Sequence, residues 1–199
     1  MNRIAIDLDE VLVPFLQPLA KYHGRTLPKR QHPYLFREVF DCSEEESRAM
    51  VYEYYKSPEF LFTRPIDASQ PAMQKIRRQF HKMYVLTGRQ DAARTQTERW
   101  IDMYFPGVFD DVILTNSFTP YELGKLDICR ALSIGYLIDD NMDLCEAAGN
   151  AGVCAKPFIG ENTYNWCYES DEAIRGWRNY IYASKTKWPS SSHFDSSHP

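Results

Sequence analysis

The sequence predicts an α/β protein: a doubly wound, parallel, five-stranded Rossmann-like sheet with a small helical segment inserted after the first strand. Three observations carry that expectation. The short apolar run Ile4-Ala5-Ile6 reads as a buried parallel strand. From residue 69 onward, strand-like and helix-like patterns alternate regularly, as in a parallel sheet covered on both faces. Between the two, residues 14–68 look helical and interrupt the β-α-β progression.

The elements follow in order. Pro14 to His23 has apolar residues at helical spacing and stops at Gly24, a residue suited to a helix C-terminus. Arg25 to Pro33 is polar and proline-containing, so it reads as loop, and Tyr34 to Phe40 as a short aromatic turn or helix. Ser43-Glu44-Glu45-Glu46 is a capping-box start for a helix to about Lys56, ended by Ser57-Pro58. Pro71 opens a helix to about Phe80. Met83 to Leu86 is the second strand, ending in Thr87-Gly88-Arg89, and Asp91 to Tyr104 a helix stopped by Pro106-Gly107. Val112 to Leu114 is the third strand, and Pro120 to Leu132 a helix carrying Lys125. Tyr136 to Ile138 is the fourth strand, ending in Asp139-Asp140. Leu144 to Asn150 is a short helix and Gly152 to Ala155 a weak fifth strand. Residues 158–168 read as aromatic loop and Asp171 to Ala183 as a final helix. Residues 184–199, rich in Ser, Pro and His, read as a disordered tail. The expected organisation is a core of residues 1–13 and 69–183, an insertion of 14–68, and the tail.

Composition narrows the function classes. At 199 residues the chain fits one full domain with a small insertion. A net charge of −4 argues against a duplex nucleic-acid binder, yet allows a small phosphorylated substrate, which needs only a local positive site. No apolar stretch approaches the roughly 20 residues of a membrane helix, and Asp7 and Asp9 interrupt the only apolar N-terminal run, so neither a membrane partner nor a signal peptide is expected. Five cysteines (Cys42, Cys129, Cys145, Cys154, Cys167), odd in number and without Cys-x-x-Cys spacing, fit free thiols in a reducing, cytoplasmic compartment. Nothing has zinc-ligand spacing.

The chemistry sits at the predicted strand ends. Two like charges as close as Asp7 and Asp9 cost free energy unless a cation or a shared proton relieves them. At the carboxyl end of a parallel strand, such a pair suggests a divalent metal and a phosphate. Each further residue has an ordinary reading when taken alone. Thr87-Gly88-Arg89 is a plain turn, Lys125 a solvated helix-face lysine, and Asp139-Asp140 a helix cap. Together, each at a strand end or a helix start, they converge on one edge of the sheet.

In that order, Asp7-Leu8-Asp9-Glu10-Val11-Leu12, Leu86-Thr87-Gly88-Arg89, Lys125 and Leu137-Ile138-Asp139-Asp140 resemble the haloacid dehalogenase (HAD) superfamily of phosphotransferases, from Asn2 to about Lys156. The resemblance implies that Asp7 is a nucleophile forming an aspartyl-phosphate and Asp9 the general acid, then general base. It implies a Mg²⁺ cofactor held by Asp7, the backbone carbonyl of Asp9 and the Asp139-Asp140 pair, with Asp140 favoured as direct ligand. Thr87 and the Gly88 N–H would meet a phosphate oxygen, and Lys125 would balance charge. The insertion would be a helical cap closing over the site. Asp7-x-Asp9-x-Val11-Leu12 followed by Phe15 is similar to the 5′(3′)-deoxyribonucleotidase family, which implies a nucleoside monophosphate substrate with Phe15 beside the base. Glu10 departs from that family's glycine, and Thr87-Gly88-Arg89 from its Thr-Ser-Pro-like turn. Arg89 is expected either to bind substrate or to pair with an acid such as Asp91, the pair being favoured. Most of the insertion's aromatics, from Phe15 to Phe62, are expected to form its own core.

The reading is a Mg²⁺-dependent phosphomonoester hydrolase, monomer or homodimer. Two other classes compete. A phosphoacceptor receiver domain also gathers acids, Thr and Lys, but its first acids are adjacent and no cap follows them. A catalytically silent binding module has no reason to keep every acid, the Thr and the Lys.

Overall fold

The central strand is β1 (Arg3–Ile6), which hydrogen-bonds in parallel to β2 (Lys82–Thr87) on one side and β4 (Tyr136–Asp139) on the other. The computed structural model describes residues 2–28, 33–160, 170, 172–183 and 188. With β3 (Asp111–Leu114), β5 (Cys154–Ile159) and β6 (Ile174–Arg175), the sheet runs β3-β2-β1-β4-β5-β6, all parallel. The expected parallel sheet is present, with six strands in place of five. The sixth is a two-residue strand that pairs Ile174 with Phe158 and Ile159 with Arg175. It lies in what the sequence pattern gave as the start of the final helix, and β5 runs on through Ile159 into the predicted aromatic loop.

Side-chain alternation explains the two layers. Ile4, Ile6, Met83, Val85 and Ile138 point to one face and Ala5, Leu86 and Leu137 to the other. The first face is covered by α5 (Ser69–Arg77), α6 (Arg94–Tyr104) and α9 (Trp177–Tyr182) through Met73, Ile76, Trp100, Ile101 and Trp177. The second is covered by α7 (Lys125–Ala131) and α8 (Met142–Asn150) through Cys129 and Ala148. Helices on both faces make the sheet doubly wound. Strand order reverses beside β1, so a crevice opens at the carboxyl ends of β1, β2 and β4.

Among the described residues, 14–68 hold four helices: α1 (Leu16–Tyr22), α2 (Phe36–Val39), α3 (Glu44–Tyr54) and α4 (Pro58–Phe62). The Ser43 capping box is made in full: the Ser43 hydroxyl accepts from the Glu46 N–H and the Glu46 carboxylate from the Ser43 N–H. Ser57-Pro58 ends α3 and also starts α4, with Ser57 as its N-cap. Phe15, Phe40, Tyr54, Tyr55 and Phe60 pack into a cluster of their own, largely separate from the sheet's two cores. The segment is stitched to the sheet where it leaves and rejoins it. Ile66 N–H donates to Leu12 O at 2.8 Å, and the Trp100 indole to Thr63 O at 2.7 Å.

Two expectations need correcting. The helix predicted from Pro120 begins at Lys125, and residues 115–124 form turns closed by Leu123 N–H to Thr115 O at 2.8 Å. Of the predicted tail, residues 184–187 and 189–199 lie outside the described residues. Trp188 is packed, its ring edge-on against Phe80 and Tyr136.

Candidate active site

Asp7 follows the last residue of β1, and its N–H continues the ladder to Ile138 O at 2.9 Å. That pairing sets its side chain beside those of Asp139 and Asp140 at the end of β4. The three carboxylates bring ligand oxygens within 4.8 Å of one another, and all three residues are buried. Lys125, the first residue of α7, reaches in from the second face. Its ammonium donates to Asp7 Oδ1 and Asp139 Oδ2, each at 2.7 Å. The other oxygen of Asp139 accepts from the Asn141 N–H at 2.9 Å, so both Asp139 oxygens are engaged. Asp140 makes no hydrogen bond or ion pair with the described residues, although it is only 3% exposed.

One lysine against three buried carboxylates leaves negative charge in excess, and the acids register it. Burial, then Asp139, pushes the Asp7 carboxyl up from 3.8 to about 7 against the opposing pull of Lys125. Burial, then Asp7 and Asp139, holds Asp140 well above the carboxylate range. Burial alone would lower the Lys125 ammonium, but Asp139 and Asp7 outweigh it and raise it. An all-oxygen donor set with surplus negative charge fits a hard divalent cation such as Mg²⁺. The carbonyl of Asp9, the other expected ligand, accepts no hydrogen bond among the described residues.

Asp9 itself is turned elsewhere. Its carboxylate accepts from Arg89, 2.6 Å from Nη2 and 3.0 Å from Nε. Arg89 is therefore paired with an acid, but with Asp9 and not with Asp91, whose partner is Arg94 at 2.7 Å. The Arg89 side chain is 3% exposed. Its Nη1 donates to the Thr97 hydroxyl at 2.9 Å, and its guanidinium lies over the Phe60 ring, 4.5 Å from the centroid. Thr87 is fully buried at the end of β2, where its hydroxyl accepts from the Arg89 N–H at 3.3 Å. The Gly88 N–H is used by no hydrogen bond among the described residues. A Cβ at Gly88 would come within 3.1 Å of the Ser117 hydroxyl, so the glycine permits this close turn.

Glu10 resolves the departure from glycine. Its φ is +62°, a left-handed value that glycine takes freely and other residues take at a cost. The compensation is local. Glu10 Oε1 accepts from the Phe15 and Leu16 N–H groups at 2.8 and 2.7 Å, capping α1 in place of the absent side-chain cap.

Around these groups lies a cavity of about 480 Å³. Asp7, Asp9, Gly88, Arg89, Lys125, Asp139, Asp140 and Phe15 line it; Thr87 does not reach its surface. Phe15 shows the cavity only an edge: it is 3% exposed, stacked on Phe36 and met edge-on by Tyr54, Tyr55 and Phe60. The insertion therefore uses many of its aromatics as its own core, while Phe15, Tyr34, Phe36, Tyr52 and Tyr55 also form cavity wall. Two site residues went unread in the sequence. Burial, then the acids Asp140, Asp139 and Asp7, raises the Tyr34 phenol, which is also hydrogen-bonded to Asn141. Asn141 caps α8 through its side chain and holds Asp139 through its N–H. An Asp-Asp-Asn run before a helix is a legible N-cap signal; Tyr34 had no signal beyond the general aromatic content of the insertion.

The architecture recurs in solved structures. A hydrolase of the haloacid dehalogenase-like family from Streptococcus pneumoniae superposes with a TM-score of 0.63 at 14% identity, covering 91% of this chain and 97% of that one. The fold is that of the HAD-like hydrolases. A predicted phosphoglycolate phosphatase from Haemophilus somnus (TM-score 0.59, 15% identity, 91% and 96% covered) shares this HAD-like architecture. So does a HAD hydrolase of family IA, variant 3, from Entamoeba histolytica (0.53, 14%, 90% and 95%). No protein-family model and no curated protein matches the chain. No helix among the described residues is long and apolar enough to cross a membrane.

Proposed function

We propose that the chain is a Mg²⁺-dependent phosphomonoester hydrolase working through an aspartyl-phosphate, with nucleoside monophosphates as substrates and residues 14–68 as its cap. The observation that carries the reading is the meeting of Asp7, Lys125 and the Asp139-Asp140 pair at the crevice of a HAD-like sheet. Mg²⁺, when bound, neutralises carboxylate and phosphate so that the two can approach.

The chain's own residues do the rest. Asp7, with one oxygen fixed by Lys125, presents the other to phosphorus. Asp139 is fully engaged by Lys125 and Asn141, which leaves Asp140 as the direct cation ligand and Asp139 as the group that orients it and the lysine. The Gly88 N–H, on the cavity wall, meets an incoming phosphate oxygen, while the Thr87 hydroxyl, buried behind it, does not reach the phosphate as expected and instead fixes the turn through the Arg89 N–H. Asp9 hands a proton to the leaving oxygen and takes one from the attacking water. The aromatic walls at Phe36, Tyr52 and Tyr55 suit a flat base. A panel of nucleoside and sugar monophosphates is expected to show Mg²⁺-dependent phosphate release, fastest with nucleotides. Silence across the panel refutes the enzyme, and a uniform preference for sugar phosphates refutes the nucleotide.

The acid cluster also makes a thermal prediction. Without metal, the folded state keeps a proton on Asp7 up to about pH 7, whereas the unfolded chain releases it near 3.8. The folded state thus binds more protons in that window, and its stability falls as pH rises through it. Mg²⁺ takes the proton's place, so the gap in Tm between saturating Mg²⁺ and EDTA is expected to widen from about pH 5 to about pH 8. Scanning calorimetry at the two pH values checks this, and a gap that narrows contradicts it.

A further inference from the structure

Among the described residues four cations line the cavity, and three of them are matched by acids. Lys125 is held by Asp7 and Asp139, Arg89 by Asp9 at 2.6 Å, and Arg37 by Glu44 at 2.6 Å. Two further lining acids are also spent: Glu10 on the start of α1, and Glu122 on the Phe118 N–H at 2.9 Å. Two charges remain without a partner among the described residues. One is Asp140, on the sheet side, where a metal ion belongs. The other is Arg48, on α3.

Arg48 is placed by helical periodicity. Glu44, Ser47, Arg48, Val51 and Tyr52 fall at i, i+3, i+4, i+7 and i+8, one stripe of α3, and all five line the cavity. Ser47 is 8% exposed and its hydroxyl bonds to none of the described residues; neither does the Tyr52 hydroxyl. The stripe therefore offers a free guanidinium flanked by two free hydroxyls, on a different wall from the strand-end acids. A positive, hydrogen-bonding patch of this kind recognises an anion.

We propose that the α3 stripe is a second anion subsite centred on Arg48, so that the preferred phosphomonoester carries a carboxylate or second phosphate on its leaving group. The inference rests on the phosphatase reading and shifts its preferred nucleoside substrate from a monophosphate to a bisphosphate, whose second phosphate is the remote anion. Lys125 and the metal-binding acids receive the reacting group, Arg48 the remote one. Arg48 is exposed to solvent, so the attraction is screened by salt.

Binding tests it without turnover. With Mg²⁺ present, 4-carboxyphenylphosphonate is expected to bind about five- to tenfold more tightly than the near-isosteric 4-carbamoylphenylphosphonate, which is uncharged at that end, a charge-assisted margin reduced by the exposure of Arg48. Alternatively, the same margin separates a nucleoside 3′,5′-bisphosphate from its 5′-monophosphate on the Asp7→Asn protein, which marks phosphate as the anion read. Arg48→Gln is expected to erase the preference while leaving affinity for the carbamoyl compound and the 5′-monophosphate unchanged; Arg48→Lys keeps part of it. Equal affinity within both pairs, or a preference that survives Arg48→Gln, overturns the proposal. Selective phosphonate binding without hydrolysis of any phosphate ester leaves the subsite standing and removes the phosphatase reading instead.

Discussion

Asp7→Asn is expected to lower phosphomonoester turnover by on the order of 10⁴-fold or more, the scale seen when a covalent nucleophile is deleted. The amide keeps the size of the carboxylate and one oxygen to accept from Lys125, which also retains Asp139 at 2.7 Å. Folding is therefore spared, and the loss falls on chemistry. The same substitution removes one of three crowded buried acids, the one whose carboxyl is pushed up to about 7 by its surroundings. In EDTA, the Asn variant should show a shallower decline in Tm between about pH 5 and about pH 8 than the native protein, because the Asp7 proton is gone while burial still holds one on Asp140. Release of p-nitrophenol from its phosphate ester and calorimetry of the metal-free protein test the two halves together. Near-native turnover by the Asn variant would show that attack on phosphorus does not come from this carboxylate.

The strand ends were legible because two kinds of signal coincide there. An apolar run such as Ile4-Ala5-Ile6 or Leu137-Ile138 has only a buried parallel strand to go to, and the polar residue after it must face the crevice. The errors sit where structure depends on distant partners. Pro120 suits the first turn of a helix, yet Asn116 and Phe118 adopt φ of +55° and +63°, and the chain turns until Gly124 before α7 begins. A two-residue strand such as β6 carries no period at all; its pairing with Phe158 and Ile159 comes from the sheet. Glu10 looked like a bare departure from glycine because its compensation, two N–H groups five and six residues ahead, exists only once α1 is in place. Arg89 was legible as a paired arginine, but local spacing favoured Asp91. Its actual partner is Asp9, eighty positions earlier in the chain, brought there by the parallel pairing of β1 and β2.

That ion pair gives the second large effect. Arg89→Ala is expected to destabilise the protein by about 3 kcal/mol, the lower end for a broken buried pair, since Asp9 is still 23% exposed. The kinetic consequence separates two roles. A residue that binds the reacting phosphate raises KM alike for every ester. A residue that aims Asp9 acts where the proton matters. Nitrophenolate leaves without help, whereas a nucleoside alkoxide needs the proton as the bond breaks. Arg89→Lys keeps the charge but loses the fork that grips Asp9, the bond to Thr97 and the flat contact with Phe60. Misaiming Asp9 by about 1 Å is expected to cost on the order of 10²-fold in kcat on a nucleoside monophosphate and far less on p-nitrophenyl phosphate. Phe60→Leu, which touches Asp9 only through the guanidinium, should shift the same ratio in the same direction by a smaller amount. Equal losses on both esters, carried in KM, would return Arg89 to the phosphate. A leaving-group-dependent loss in kcat makes Arg89 the strut that holds Asp9 against the aromatic core of the insertion, so that the sheet and the helices over it set the proton donor together.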